Sequence, residues 1–142
     1  MSTPNPVTEL LDRYRAAVQG KDVEAFVAVY DDNVRVFDMW ARWAYTGLDE
    51  WRQMAEDWFG SIGDDRVEVE FQEVRSLASA DIAVVHAFVT FRGLSPTGEE
   101  LRAMDNRLTW TLRTTDEGAW KVIHEHTSAP IDSETTTAKL NR

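Results

Sequence analysis

Hydrophobic and polar residues alternate most regularly over residues 105–130, and this pattern predicts two strands joined by a short turn. Leu108 and Trp110 alternate with polar neighbours on the first strand, which is the period-2 pattern of a half-buried strand. Gly118 supplies the turn, and the second strand starts at Trp120 with the same alternation. This hairpin predicts the central part of a sheet.

Apolar residues at spacings of three and four predict three helices. We expect Thr8 to cap the first helix, which ends at Gly20, and Asp22 to cap the second. The third helix covers Leu48–Ile62, where Trp58 lies on the apolar face.

Alternating segments at 34–37, 67–77 and 82–92 predict three more strands. The element order is therefore helix, helix, strand, helix, and then four strands in hairpins. This order predicts an α+β fold, in which a strongly curved antiparallel sheet wraps around the N-terminal helices and leaves a conical hollow. We expect a single domain without internal repeats, a loose end at residues 1–6 and a disordered polar tail at 132–142.

Composition narrows the possible partners and the chemistry. The net charge of −10 argues against a nucleic-acid backbone or an anionic membrane as partner. Without cysteine, the chain has no disulfide, thiolate zinc site or cysteine nucleophile. The six tryptophans predict a large aromatic core, an aromatic-lined cavity, or both.

The N-terminal segment and the apolar runs bear on location. No run approaches the roughly 18 apolar residues that a bilayer span needs. The segment MSTPNPVTEL lacks the basic and apolar regions of a signal peptide. We therefore expect a cytoplasmic protein.

The closing hairpin and the start of the third helix carry a family resemblance. The motifs are Arg107-x-Thr109, Gly118-x-Trp120, His124-x-His126-x-Ser128-x-Pro130 and Tyr45-x-Gly47-Leu48-Asp49. With the element order, they resemble the nuclear transport factor 2-like superfamily, in particular its SnoaL-like and ketosteroid isomerase-like members. The pattern is also similar to the association domain of calcium/calmodulin-dependent protein kinase II. The resemblance implies one SnoaL-like domain over residues 1–131, a dimer formed through the sheet and a pocket between sheet and helices.

The resemblance also implies roles for three residues. Tyr14 falls at the position of the oxyanion-hole tyrosine of ketosteroid isomerases, and Asp38 falls at the position of their general base. Trp110 takes the place of their protonated aspartic acid. An indole N–H donates a hydrogen bond but has no acidic proton to share, so the chain departs from the steroid isomerase pattern here.

Asp38 and Tyr14 are the candidate catalytic residues, and each has a structural alternative. Asp38 lies beside Phe37, Met39 and Trp40, where poor solvation would raise its pKa toward that of a general base. The alternative is an aspartate that caps the strand end. Tyr14 either lines the pocket or packs in the core with its hydroxyl hydrogen-bonded.

The candidate substrate-binding residues are tryptophans and histidines, namely Trp40, Trp58, His86, Trp110, His124 and His126. The tryptophans form an aromatic box or pack in the core. His86 faces a ligand or is a core histidine bonded to a neighbour. His124 and His126 share a strand face, as a ligand-binding pair or as hydrogen-bonding partners within the sheet, and a bulge would change the face they share. The H-x-H spacing also permits a metal site with His86, but no carboxylate lies at ligand spacing and we predict no metal.

Two functions follow as expectations. The first is a SnoaL-like protein that binds a small hydrophobic molecule in an apolar pocket, with Asp38 removing a proton next to a carbonyl if the protein is an isomerase, cyclase or dehydratase. This chemistry requires no cofactor. The alternative is a non-catalytic association module that serves oligomerisation.

Overall fold

A computed structural model describes residues 5–142 as three helices and six strands. The helices are α1 (Pro6–Gly20), α2 (Val23–Val27) and α3 (Leu48–Ile62). The strands are β1 (Tyr30–Phe37), β2 (Tyr45–Thr46), β3 (Arg66–Ala78), β4 (Ile82–Leu94), β5 (Glu100–Thr114) and β6 (Trp120–Ser128). Residues 1–4 of the expected loose end lie outside the described residues.

The first two helices begin at side-chain caps. Asn5 caps α1, because its Oδ1 accepts a hydrogen bond from the backbone N–H of Val7 at 2.9 Å. The helix thus starts before the expected cap at Thr8, since Pro6 occupies the first helical position, where its fixed φ is favourable. Asp22 caps α2 as predicted, accepting from the N–H of Ala25 at 3.0 Å. Within residues 5–142, no helix has the length and apolar character needed to cross a membrane.

The strands form one sheet in the order β2-β1-β6-β5-β4-β3. All neighbouring pairs are antiparallel except β1 and β6, which are parallel. The predicted α+β fold with a curved sheet around the N-terminal helices is therefore confirmed, with one parallel pair in a sheet predicted to be antiparallel. The chain continues from β1 into β2 and α3, so β1 does not pair with the next long strand, β3. Its parallel partner is the last strand, β6.

One face of the sheet packs on the helices and forms the core. Trp110, at the centre of β5, is fully buried, and its ring centroid lies 5.9 Å from that of Tyr14 on α1. Phe26 of α2 is also fully buried and stacks obliquely on Tyr14 at 5.4 Å. These aromatic contacts hold α1 and α2 against the middle of the sheet.

A bulge in β6 changes which residues face the core. Thr111 pairs with His124 but Leu112 pairs with Val122, so Ile123 is an extra residue in β6. As a result Val122 and Glu125 are both buried on the inner face, although three positions separate them.

The segment after β6 lies along the sheet, which differs from the predicted disordered tail. Ile131 and Ala138 form a bridge that reverses the chain. The backbone N–H of Asp105 on β5 then donates to the carbonyl oxygen of Leu140 at 2.6 Å. The polar composition of the segment predicts disorder, but this part of β5 extends beyond the end of β6 and its unpaired edge needs hydrogen-bond partners.

Candidate active site

A cavity of about 860 Å³ lies between α1, α3 and the inner face of the sheet. Much of its wall is apolar or aromatic, with contributions from Trp40, Tyr45, Trp51, Met54, Trp58 and Phe91. Polar residues also face it: Tyr14, Asp38, Asn106, Glu125 and Thr127 lie among the buried or half-buried groups, and the charged side chains of Arg42, Glu50, Asp57 and Arg102 line it as well. A concave, largely apolar wall with convergent polar groups is the usual character of a small-molecule site.

Asp38 lies directly after β1, where the chain leaves the sheet, and its half-buried carboxylate lines the cavity. Its Oδ1 accepts a hydrogen bond from Thr127 Oγ1 at 3.0 Å, and its Oδ2 accepts one from the backbone N–H of Trp40 at 3.4 Å. Burial raises the pKa of Asp38, and these hydrogen bonds oppose the rise. A partly desolvated carboxylate of this kind is a suitable general base.

Glu125 of β6 is a second carboxyl group in the cavity wall and is only 3% exposed. Its Oε1 accepts hydrogen bonds from the Tyr30 hydroxyl at 2.6 Å and from Trp110 Nε1 at 2.7 Å. Burial raises the pKa of Glu125 to about 7, the hydrogen bonds from Tyr30 and Trp110 oppose this, and the charge of Asp38 adds to it. Glu125 can therefore gain or lose a proton near neutral pH.

The two carboxyl groups have no cationic partner in the described part of the chain. None of the ion pairs formed by residues 5–142 includes Asp38 or Glu125. Because the pKa of Glu125 is raised partly by the charge of Asp38, the pair favours a state in which Asp38 is ionised and Glu125 is protonated.

Tyr14 contributes a neutral phenol to the same cavity. The residue is buried on α1, and burial raises the pKa of its hydroxyl well above the ordinary value, with further contributions from the charges of Glu125 and Asp38. The hydroxyl thus keeps its proton at physiological pH. It makes no hydrogen bond to any side chain among residues 5–142, so it can donate to a ligand.

Two more polar groups of the cavity wall have no hydrogen-bond partner among residues 5–142. They are the indole N–H of Trp51 and the side-chain oxygen of Asn106, both buried. Burial raises the pKa of Tyr30, and the nearby Trp51 N–H opposes that rise without reaching hydrogen-bond geometry. Because an unpaired buried polar group is unfavourable, both groups are candidates for contacts with a ligand.

The three predicted tryptophans occupy different places. Trp58 of α3 and Trp40, which is 50% exposed, line the cavity. Trp110 lies behind the cavity wall, fully buried, and holds Glu125 by its hydrogen bond. It therefore acts on the site through Glu125, which fits the alternative of core packing and not a direct contact with the substrate.

The three predicted histidines lie on the outer face of the sheet, away from the cavity. His86 is exposed, because the buried residues of β4 are its neighbours Val85 and Ala87. The bulge in β6 turns His124 and His126 outward, and His124 Nδ1 donates to the carbonyl oxygen of Arg35 at 2.7 Å. None of the three fits the predicted role in the pocket, and the hydrogen bond of His124 fits the alternative of a partner within the sheet.

His126 instead borders a more open groove on the outer face. This groove has a volume of about 600 Å³ and runs beside the loop that carries Trp43, which is 98% exposed. It shares Asp38, Arg42 and Thr127 with the cavity. Across residues 5–142, no group of three histidine or acidic side chains has the geometry of a metal site.

Glu125 is the residue that sequence reasoning missed. The alternation of β6 places it opposite His124 and His126, which were the candidate residues of this strand although the sequence left open which face lines the cavity. The signal for the opposite assignment was the apolar residue in both alternating sets, Val122 in one and Ile123 in the other, which is consistent with a bulge.

Comparison with solved structures supports the fold. A nuclear transport factor 2-like protein of unknown function from Pseudomonas putida KT2440 superposes with a TM-score of 0.84 at 27% identity, over 96% of this chain and 92% of that chain. A ketosteroid isomerase-like protein from Erwinia carotovora atroseptica gives 0.67 at 23% identity, over 87% of this chain and 92% of that chain. A candidate calcium/calmodulin-dependent protein kinase II association domain from Xanthomonas campestris gives 0.69 at 20% identity, over 87% and 85%.

Comparison by sequence identifies the family. No curated protein matches the chain. Residues 7–132, which include nearly all of α1 and every later helix and strand, match the model of the SnoaL-like domain. The chain therefore belongs to the SnoaL-like family within the nuclear transport factor 2-like superfamily.

Proposed function

We propose that the protein binds a small, mostly apolar molecule with a carbonyl group in the cavity, and that Asp38 moves a proton on the carbon next to that carbonyl. The observation that carries this proposal is the meeting of Asp38, Glu125 and the Tyr14 hydroxyl in one apolar wall. The likeness to a ketosteroid isomerase-like protein supports the same class of chemistry.

Around Asp38 and Glu125 the aromatic wall favours a ligand with little charge, while Arg42 and Arg102 also line the cavity and Arg42 is paired with Glu50. The net charge of the two carboxyl groups is zero or negative, so an anionic ligand would be repelled from this part of the cavity. Trp58 and Phe91, whose ring centroids lie 6.0 Å apart, offer apolar surface for the body of the ligand. A neutral carbonyl compound with an apolar body fits both conditions.

Asp38 and Tyr14 have distinct roles in the proposed reaction. Ionised Asp38 takes a proton from the carbon next to the carbonyl, and the electron pair of that C–H bond moves toward the carbonyl oxygen. Tyr14 donates its O–H to the developing enolate oxygen, which lowers the barrier because the donor is already in place. Asp38 then returns the proton to the same or a neighbouring carbon, so no cofactor is consumed.

Glu125 sets the pH at which this chemistry is favourable. When it is protonated it adds no charge beside the enolate, and when it is ionised it repels the enolate charge. With the pKa of Glu125 near 7, the proton-transfer rate should fall as the pH rises above neutral.

The experiment follows hydrogen exchange on a simple ketone. Acetophenone is incubated with the protein in D₂O, and NMR measures the loss of the methyl protons next to the carbonyl. Replacing Asp38 by Asn should lower the enzyme-dependent exchange rate by about 100-fold or more, since it removes the base. Replacing Tyr14 by Phe should lower it by about 100-fold, since it removes the enolate donor.

Asp64→Asn is the matched control, because Asp64 is exposed and lies outside the cavity wall. It should keep the exchange rate of the original protein. Equal rates for Asp38→Asn and Asp64→Asn would remove Asp38 as the base. Binding of acetophenone without protein-dependent exchange would leave a binding protein and reject the catalytic role.

We also propose a homodimer formed through the outer face of the sheet. Apolar side chains at the β3–β4 end of that face are at least 40% exposed, namely Leu77, Ile82 and Val84. Analytical ultracentrifugation separates a ligand-binding dimer from the alternative function, a non-catalytic association module. A dimer agrees with a ligand-binding protein, and a larger ring favours an association module.

A cytoplasmic location stays a prediction.

A further inference from the structure

Residues 139–142, here called the C-terminal strap, extend the sheet where β6 has ended. The strap lies beside β5: the carbonyl oxygen of Leu140 accepts from the N–H of Asp105 at 2.6 Å. Asn141 Nδ2 donates to the carbonyl oxygen of Ala103 at 3.0 Å. The strap thus satisfies backbone groups on an edge that would otherwise be unpaired.

Arg142 anchors the strap on the outer face of the sheet. Its backbone N–H donates to Asp105 Oδ2 at 2.8 Å. Its guanidinium group pairs with Glu73 at 2.9 Å and lies 3.7 Å from the ring centroid of Phe88. An exposed ion pair alone contributes little, but the aromatic contact and the backbone bond add to it.

Leu140 faces the opposite way, toward the cavity. It is the one residue of 133–142 that is not exposed, and it lines the cavity together with Met104 and Asn106 of β5. A polar segment therefore places its one large apolar residue in the cavity wall. Arg142 thus holds the strap on the outer face of the sheet, and Leu140 completes the cavity wall on the opposite face.

We propose that Leu140 is a specificity-determining residue, whose side chain closes the β5 end of the cavity and limits the length of the ligand's apolar body. The inference rests on the proposed function, because it takes the cavity as the ligand site. It adds that the ligand carries an apolar chain directed at Met104 and Leu140, away from its carbonyl at Tyr14.

The experiment uses neutral phenyl ketones of increasing alkyl length, from acetophenone to octanophenone, with tryptophan fluorescence as the binding signal. Affinity should rise by about fourfold for each CH₂ that finds apolar wall, and stop rising when the chain meets Leu140. In Leu140→Ala this limit should move to longer ketones, and in Leu140→Phe to shorter ones.

Ile131→Ala is the matched control, because Ile131 is an aliphatic residue in the same C-terminal region, is 68% exposed and lies outside the cavity wall. It should leave the length limit unchanged. If ketones bind but both Leu140 variants keep the original limit, the inference is wrong and the proposed function stands. If no ketone binds the original protein, both the proposed function and the length limit fall.

Hydrogen exchange separately tests whether the strap is docked. The amide of Asp105 should exchange slowly in the original protein and at least tenfold faster in Arg142→Ala, where the guanidinium contacts to Glu73 and Phe88 are lost. Fast exchange of this amide in the original protein would mean that Leu140 does not complete the wall, and would overturn the inference.

Discussion

Glu125 is a buried acid whose proton is favoured by the fold, and this should make the stability of the protein depend on pH. Burial raises its pKa from 4.5 to about 7. Below the lower value both the folded and the unfolded state hold the proton. Between the two pKa values the unfolded state releases the proton of Glu125 while the folded state keeps it, so the free energy of unfolding falls as the pH rises. Above a pH of about 7 the folded state has released the proton too, and the free energy of unfolding falls no further on this account.

The size of the effect follows from the two pKa values. Their difference, at about 1.4 kcal/mol for each pH unit, corresponds to about 3 kcal/mol of lost stability at high pH. Replacing Glu125 by Gln removes the ionisation while keeping an oxygen that accepts from Tyr30 and Trp110. The variant should therefore gain about 3 kcal/mol relative to the original protein between about pH 4.5 and pH 8.

Urea unfolding at a series of pH values measures this difference directly. Glu56→Gln is the control, because Glu56 is exposed on α3 and should show no such change. A stability difference between Glu125→Gln and the original protein that stays constant over this range, within about 1 kcal/mol, would refute the reasoning. It would mean that Glu125 is solvated or paired in a way that its contacts to Tyr30 and Trp110 do not indicate.

Two further predictions concern the site and the core. Trp110→Phe removes the N–H donor to Glu125, so the pKa of Glu125 should rise above its value in the original protein; ¹³C NMR of the Glu125 carboxyl group measures this, and an unchanged or lower pKa would contradict the role given to Trp110. Phe26→Ala should cost about 3–5 kcal/mol in urea unfolding, because Phe26 is fully buried among aromatic rings; a loss below about 1 kcal/mol would contradict its place in the core.

Much of the fold could be predicted because its elements have strong local signals. The bounds of α3, Leu48–Ile62, follow from its apolar periodicity and the glycines at its ends. The cap at Asp22 follows from its side chain, because its carboxylate accepts a hydrogen bond from one of the free N–H groups at the start of α2. The parallel pairing of β1 with β6 could not be predicted from spacing, since it is set by packing between distant segments.

The candidate site was harder to predict, because it depends on which face of each strand points inward. Alternation gives two faces but does not say which one meets the helices, and His86 was assigned to the inner face for that reason. In β6 the extra residue Ile123 changes the phase within a single strand. Asp38 and Tyr14 avoid this ambiguity: one follows the end of a strand, and the other lies on the apolar face of a helix.

The position of Glu125 is unfavourable for stability, and this bears on its purpose. A glutamine at the same place would keep the hydrogen bonds from Tyr30 and Trp110 without the ionisation that costs about 3 kcal/mol above neutral pH. Glu125 makes no ion pair within residues 5–142, and the tyrosine and the indole that hold it would donate equally well to an uncharged amide oxygen, so packing does not require a titratable group there. A carboxyl group held in such a position by two donors, in the wall of a cavity that also contains Asp38, is better explained by proton chemistry or ligand recognition than by folding.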